Sequence, residues 1–348
     1  MNHPGSVLVG LSGGVDSAVA ALLLKRQGCR VVAVTLVFSD DSEDPAENRP
    51  CSPSAAGKAA AVAADIGVRH MVVDASDMFR REVVQYFVRE YENGRTPNPC
   101  VACNARIRFG VMRDIAREQG LEAVATGHYA RLVGGERMLA RGVDCAKDQS
   151  YVLARVSPEL LKSVIFPLGG LCKREVRDIA AAAGLSCRDV EESQEICFVP
   201  HDDYKRFLRL RLGERPGAIV DLHGNELARH TGTYNFTIGQ RKGLRLARSE
   251  PTYVVAIDAG TREVTVGNAE DTFSSVVRIT DLVSHGPYSG GPLVVQVRSS
   301  GEAVSAHMPD SETVILHEPM QGVAPGQTAV VYEDERVILA GTIVSAER

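Results

Sequence analysis

The sequence predicts an α/β protein, a doubly wound parallel sheet followed by a small basic domain and a C-terminal β-barrel. Three observations carry that prediction. Short β-branched runs alternate with helical patterns through the N-terminal part of the chain. A glycine-rich loop, Ser12-Gly13-Gly14-Val15-Asp16-Ser17, stands between the first such run and the first helical pattern. Beyond Tyr253, short β-rich runs separated by Gly, Pro and Asp/Asn turns continue to the end.

Taken in order, Ser6 to Leu11 reads as a first strand and Ser17 to Gln27 as a helix ended by Gly28. Val31 to Phe38 is continuously apolar, as a strand buried on both faces should be. Residues 39–53 are acidic, contain proline and lack a period, which predicts a loop. Ala55 to Ile66 is an Ala-rich helix closed by Gly67, and His70 to Asp74 a third strand. Met78 to Glu92 and Ala105 to Gln119 carry apolar residues at helical spacing, and the aperiodic Gly94 to Asn104 between them predicts a loop with rigid flanks. A fourth strand follows at Ala123 to Thr126, a hairpin at Arg131 to Ala140 turning on Gly134 and Gly135, and a helix at Lys173 to Ala183 stopped by Gly184. Composition shifts divide the chain into domains at 1–200, 201–272 and 273–348.

The chain has 348 residues, 44% hydrophobic and 24% charged, which excludes a disordered or fibrous protein. Its 39 Lys and Arg against 44 Asp and Glu give a net charge of −5, so no global basic field exists. Residues 205–248, however, hold ten Lys/Arg and three acids, a local +7 that leaves −12 for the rest. That segment is the candidate for phosphate contacts. The longest strongly apolar run, Val31 to Phe38, is far below the roughly 18 to 20 residues of a membrane helix, and no secretory signal is read. Eight cysteines in such a chain predict free thiols in a reducing cytoplasm rather than a disulfide scaffold. Cys100 and Cys103 lie in a Pro/Asn-rich stretch where packing does not explain them.

The physics of the glycine loop favours a bound anion. Two glycines let the backbone approach phosphate oxygens, a helix N-terminus offers unpaired N–H groups, and Ser12 and Ser17 add hydroxyl donors. Asp16 cannot bind phosphate, which leaves it to hold Mg²⁺ against the phosphates or to cap the helix. The loop has neither the lysine of G-x-x-x-x-G-K-[ST] nor the spacing of G-x-G-x-x-G. It resembles the pyrophosphate loop of ATP pyrophosphatases, which adenylate a carbonyl oxygen and let a nucleophile displace AMP.

The remaining motifs narrow the resemblance. Thr96-Pro97-Asn98-Pro99 leads into Cys100-Val101-Ala102-Cys103-Asn104; then come Gly127-His128-Tyr129-Ala130-Arg131, Lys147-Asp148-Gln149-Ser150-Tyr151, Phe166-Pro167-Leu168-Gly169 and Ser193-Gln194-Glu195-Ile196-Cys197-Phe198. His230-Thr231-Gly232 and Thr237 through Leu244 complete the series. In that order the set resembles the bacterial tRNA-specific 2-thiouridylases, densely from residue 10 to about 270. The resemblance implies a Rossmann-like, adenine nucleotide alpha-hydrolase-like fold. It implies replacement of the C2 oxygen of the wobble uridine by sulfur in tRNAs for Lys, Glu and Gln, with ATP as cofactor. A persulfide on Cys197, loaded by a sulfur-relay protein or cysteine desulfurase, would deliver sulfur directly or through hydrosulfide released by Cys103, leaving a Cys103–Cys197 disulfide.

Carried over by position, the resemblance places ATP on Gly10, Leu11, Ser12, Gly13, Gly14, Val15, Asp16 and Ser17, with Leu36 against the adenine and Gly127 nearby. Asn98, Pro99 and Cys100 would face the target base, and His128, Lys147, Asp148, Gln149, Arg298, Ser299 and Gln327 would meet tRNA. Many members carry aspartate where this chain has Cys100. Three roles follow for that thiol: a thiolate base, a spare persulfide or resolving thiol, or the third ligand of a [4Fe-4S] cluster with Cys103 and Cys197. A zinc site of Cys100, Cys103, Cys187 and Cys197 is a structural alternative. Cys29, Cys145 and Cys172 read as packing or surface residues, and Cys51 has no assigned role. A monomer is expected. The competing function is a pyrophosphate-loop synthetase acting on a small carboxylate, which explains the loop but neither the paired thiols nor the basic segment.

Overall fold

The computed structural model describes residues 5–38, 53–188, 190, 196–199, 201, 203–244, 246 and 250–348. The acidic 39–52 stretch with Cys51, Ser193 to Glu195, and Arg245 and Arg248 lie outside the described residues. The chain forms two compact units: 1–83 with 100–202 and 335–337, and 84–99 with 203–334 and 338–348.

In the first unit, alternating segments supply β1 (Ser6–Gly10), β2 (Arg30–Val37), β3 (Arg69–Asp74), β4 (Ala123–Ala125), the hairpin β5 (Ala130–Val133) and β6 (Met138–Arg141), and β7 (Val164–Ile165). Five of them make a parallel sheet in the order β3-β2-β1-β4-β7, with Val7 opposite Val31 on one side and Ala123 on the other. Val7, Leu8 and Val9 have no exposed surface, which is why this strand reads as an unbroken apolar run. Helices Val15–Arg26, Pro53–Ile66 and Lys173–Ala182 cover the sheet with Val19, Leu24, Val62, Val176 and Ala180. Strand order reverses beside β1, so a crevice opens at the carboxyl ends of β1, β2 and β4.

Two segments differ from the sequence prediction. The helices expected at Met78 to Glu92 and Ala105 to Gln119 each contain a π-helical turn, Arg80–Val84 and Asn104–Arg108. The expected loop before the second of these ends early, because Pro99–Cys103 is already helical. Proline suits a first helical position, where its missing N–H would have been unpaired anyway. Cys100 and Cys103, three apart, therefore share one helical face.

The second unit contains helices Gln85–Glu92 and Tyr204–Leu212, the latter capped by Asp203, whose carboxylate accepts from the Arg206 N–H at 2.9 Å. Strands β8 (Gly217–Val220), β9 (Glu226–His230), β10 (Tyr253–Asp258) and β11 (Glu263–Gly267) form a sheet in the order β10-β11-β8-β9. Strands β12 (Phe273–Ser284), β13 (Leu293–Gln296), β14 (Val304–His307), β15 (Thr313–Gln321), β16 (Thr328–Glu333) and β17 (Arg336–Glu347) follow. They run β12-β15-β14-β13-β16-β17, and β17 pairs back onto β12 to close a six-stranded antiparallel barrel. Val277, Val295, Val314, Val331 and Ile343 fill its interior.

Candidate active site

At the carboxyl ends of β1, β2 and β4 lies a cavity of about 210 Å³. Gly10, Leu11, Ser12, Asp16, Ser17, Leu36, Gly127, His128 and Gln149, all named from sequence, line it together with Thr35, Phe38, Arg108, Met112 and Thr126, which were not. The serines organise the loop. Ser17 Oγ donates to the Gly14 carbonyl at 3.0 Å and accepts from the Ser12 N–H at 3.1 Å, while the two hydroxyls lie 3.1 Å apart. Gly14 caps the helix without any side-chain partner, so the first amides of Val15–Arg26 are left for a ligand.

Two glycines here cannot be replaced cheaply. Gly13 has φ +80°, and a Cβ on it would lie 2.8 Å from Lys58 Cβ. A Cβ on Gly127 would lie 2.7 Å from both the Asp16 carbonyl carbon and the Ser17 nitrogen. The end of β4 thus rests directly on the loop backbone.

Asp16 neither caps the helix nor stands open for a cation. Lys173 Nζ bonds its two oxygens at 2.7 and 2.8 Å, and Tyr129 Oη donates to it at 2.8 Å. Lys173 also lies 5.8 Å from the Tyr129 ring centre, and its side chain is only 12% exposed. The loop lacks a lysine of its own, and a residue 157 positions away supplies one.

Cys103 is buried, and Arg108, five residues on, lines the cavity. Burial pushes the Cys103 thiol up, and the Arg108 guanidinium opposes that without reversing it. Cys100 keeps an exposed surface. The protein around it nonetheless desolvates its thiolate, and a neighbouring charge on Cys103 raises it further, with Arg108 opposing. Burial thus disfavours the thiolate at both sulfurs, and a charge on Cys103 would disfavour it further at Cys100.

Cys197 is half-buried, and its neighbour Phe198 is buried. Phe198 meets Phe79 edge-on at 5.6 Å, and Phe79 stacks at 4.5 Å on Phe38, a wall of the cavity. An aromatic chain thus ties the Cys197 segment to the nucleotide side of the sheet. Nothing in the spacing of these residues announces it.

The family models described as the tRNA methyl transferase HUP domain, the tRNA methyl transferase PRC-barrel domain and the aminomethyltransferase beta-barrel domain match residues 5–201, 205–268 and 277–343. The tRNA-specific 2-thiouridylase MnmA of Chloroflexus aurantiacus is 43% identical over 355 residues, covering 98% of this chain and 99% of that one. The chain belongs to the tRNA-specific 2-thiouridylase family. Thiouridylases of the same name from a Mycobacterium species and from Herpetosiphon aurantiacus are 43% and 41% identical, each over 98% of this chain and 99% of the relative. Among solved structures, a 4-thiouridine synthetase–RNA complex with bound ATP covers 60% of this chain and 50% of that one, at 19% identity and a TM-score of 0.35, a likeness too distant to carry an argument.

For a thiouridylase, the residues expected at tRNA fall into three settings. His128 is buried against the cavity, 2.7 Å from Thr126 Oγ1 and about 6 Å from the rings of Phe109 and Phe166. Burial and the Arg108 charge drive its pKa down to about 3, so it works as a neutral hydrogen-bonding group. Gln149 also lines the cavity, accepting from the Tyr129 N–H at 3.0 Å, whereas Lys147 is half-buried. The Asp148 carboxylate is occupied by Arg141, the Gly142 N–H and Ser150 at 2.7 to 3.1 Å, which makes it the organiser of this turn.

In the second unit, Asn98 is half-buried and Pro99 buried, while Arg298 and Ser299 are exposed, with Arg298 donating to the Gln321 carbonyl. Gln327 donates to the Thr96 carbonyl at 2.7 Å, and the Thr96 N–H donates to the Pro325 carbonyl at 2.8 Å. With Arg95 held by Glu90 at 2.7 and 2.8 Å, this barrel turn fixes the arm that precedes the thiols.

No group of three or more His, Cys, Asp or Glu side chains gathers as a metal centre among the described residues. Cys187 belongs to the sheet core, where burial pushes its thiol up to about 11, so the four-cysteine zinc reading does not fit. Among the described residues, Cys100, Cys103 and Cys197 are not gathered as a metal-holding group. The Asp16 carboxylate is matched by the Lys173 ammonium. No described helix is long and apolar enough to cross a membrane.

Proposed function

We propose that this protein replaces the C2 oxygen of the wobble uridine by sulfur in tRNAs for Lys, Glu and Gln. ATP, arriving with Mg²⁺ as its counter-ion, transfers AMP to that oxygen and releases pyrophosphate. Cys197 carries a persulfide, received from a sulfur-relay protein or cysteine desulfurase. Cys103 attacks its inner sulfur, forming the Cys103–Cys197 disulfide and freeing hydrosulfide; hydrosulfide attacks C2, the C2–O bond breaks and AMP leaves. A thiol reductant then returns two electrons to the disulfide, as the reducing cytoplasm allows. The enzyme acts as a monomer, with the basic 205–248 segment and Arg298 and Ser299 meeting phosphates, and Asn98, Pro99, Cys100 and His128 meeting the extruded base.

One observation carries this reading: Arg108 lines the glycine-loop cavity, and its charge reaches the thiol of Cys103 and opposes the effect of burial there. Adenylation and sulfur delivery must happen at adjacent atoms, and that residue joins the two places where they would occur. The experiment is ATP-dependent 2-thiouridine formation on unmodified tRNA, comparing apo protein with anaerobically iron–sulfide-reconstituted protein under one sulfide supply. Equal activity in both is expected. Activity only after reconstitution would overturn the thiol-only route, and silence in both with an active donor would return the carboxylate synthetase.

The Asp16–Lys173 pair gives a second test. Lys173, freed from Asp16 by an arriving triphosphate, supplies a cation to it, and Asp16 keeps the ammonium aimed at the loop until then. Lys173→Met and Asp16→Ala are each expected to weaken binding of a non-hydrolysable ATP analogue about tenfold or more, and the double variant to be little worse than either. Additive losses in calorimetric titration would show that the two residues meet the nucleotide independently.

A further inference from the structure

A chain of hydrogen bonds runs from the third strand to the entrance of the glycine loop. One step past the Gly10–Val34 pair that ends the β1–β2 register, the Leu11 N–H donates to the Val34 carbonyl at 2.8 Å. The Leu11 carbonyl goes to a side chain instead: Thr35 Oγ1, on the next residue of β2, donates to it at 2.7 Å. His70 stands opposite Ala33 in the β2–β3 register, which puts it on the same sheet face as Thr35 two residues on, and its Nε2 lies 2.8 Å from the same hydroxyl. Thr35 is buried in the cavity wall, and His70 is half-buried on the edge strand.

A carbonyl only accepts. The contact with Leu11 therefore takes the single Thr35 proton, so the hydroxyl accepts from His70, and the neutral ring is the Nε2–H tautomer. Burial lowers the pKa of His70 from its ordinary value, which keeps that ring neutral at pH 7.5. The Leu11 carbonyl and the Ser12 N–H belong to one planar peptide. Thr35 holds the carbonyl while Ser17 Oγ accepts the N–H at 3.1 Å, so this peptide is gripped at both ends where the loop begins.

We propose that Thr35, backed by His70, is a positioning residue for the nucleotide: it fixes the Leu11–Ser12 peptide and with it the direction in which the glycine loop leaves β1. This role rests on the glycine loop being the ATP site of the proposed function. Valine at position 35 would keep the shape but leave the Leu11 carbonyl and the His70 N–H without their partner. Rotation of the peptide relieves the carbonyl, and it carries Ser12 and the loop amides out of place.

Two measurements test this. In long-range proton–nitrogen spectra of the ¹⁵N-labelled full chain at pH 7.5, the His70 ring, assigned by its loss in His70→Leu, is expected with its proton on Nε2. A proton on Nδ1 and a bare Nε2 would overturn the proposal, because Thr35 would then donate to His70 and release Leu11. Calorimetric titration with a non-hydrolysable ATP analogue reads the loop itself. Thr35→Val is expected to weaken binding about tenfold, His70→Leu about threefold, and Thr35→Ser, which keeps the hydroxyl, to stay within about twofold of wild type. Ile66→Val, in the sheet core at the last residue of helix Pro53–Ile66, should lower stability without moving the affinity, which separates loop geometry from stability. Wild-type affinity in a folded Thr35→Val protein, beside a Gly127→Ala protein that binds weakly, would overturn the proposal alone. Wild-type affinity in both would overturn the assignment of ATP to the loop as well. Should Thr35→Val not fold, wild-type affinity in His70→Leu would overturn the proposal.

Discussion

Cys103→Ala and Cys197→Ala are each expected to abolish 2-thiouridine formation, a loss of at least about 10³-fold, while ATP binding and the folded state survive. The size follows from the chemistry. Without Cys197 no persulfide is carried, and without Cys103 the proposed attack on its inner sulfur does not occur. Cys29→Ala is the control, because Cys29 is also a buried thiol, 7% exposed, but it packs in the sheet core away from the cavity. Its removal is expected to lower stability by about 1 kcal/mol and leave turnover intact. Thiolated nucleoside released from tRNA and quantified by mass spectrometry reads all three variants. Undiminished product from either catalytic variant would remove that cysteine from the mechanism.

Gly127→Ala is expected to weaken ATP binding by about 100-fold or more and to carry thiolation down with it. The added methyl would stand 2.7 Å from the Asp16 carbonyl carbon and the Ser17 nitrogen. Both are backbone atoms of the loop that holds the phosphates, so relief must come from moving the loop rather than from a side-chain rotation. Moving it also disturbs the Ser12–Ser17 bonds and the Asp16–Lys173 pair at once. Gly110→Ala offers the comparison: nothing lies within 4 Å of its would-be Cβ, and it sits inside helix Phe109–Glu118, where alanine is the better helix former. Titration with a non-hydrolysable ATP analogue separates them. Equal affinity in Gly127→Ala and wild type would mean that ATP binds elsewhere.

The parts of the site that could be read in advance are the ones written in local chemistry. Ser12-Gly13-Gly14-Val15-Asp16-Ser17 states its geometry in six consecutive residues, and the apolar run of β2 and the Gly134 turn of the hairpin state theirs. The start of helix Lys173–Ala182 was legible too, but not that its first residue would reach Asp16, since 156 intervening residues carry no period linking the two. Gln327 and Thr96 are 231 apart, and Phe198, Phe79 and Phe38 meet only once strands and helices have packed. The π-turn left no mark at all, because the apolar spacing of Ala105 to Gln119 reads as ordinary helix with or without one extra residue in a turn.

By itself the sequence determined the order of the elements, the anion-binding loop, the paired thiols and, through its motifs, the thiouridylase family. These rest on glycine backbone freedom, side-chain periodicity and the chemistry of neighbouring residues, all of which act over a few positions. Only the tertiary structure decided which charge faces which group. It matched Asp16 with Lys173, put Arg108 in the cavity wall and kept His128 neutral beside it. Protonation and ion pairing depend on burial and on distances of a few ångströms between residues far apart in the chain, and those distances exist only after the sheet has folded.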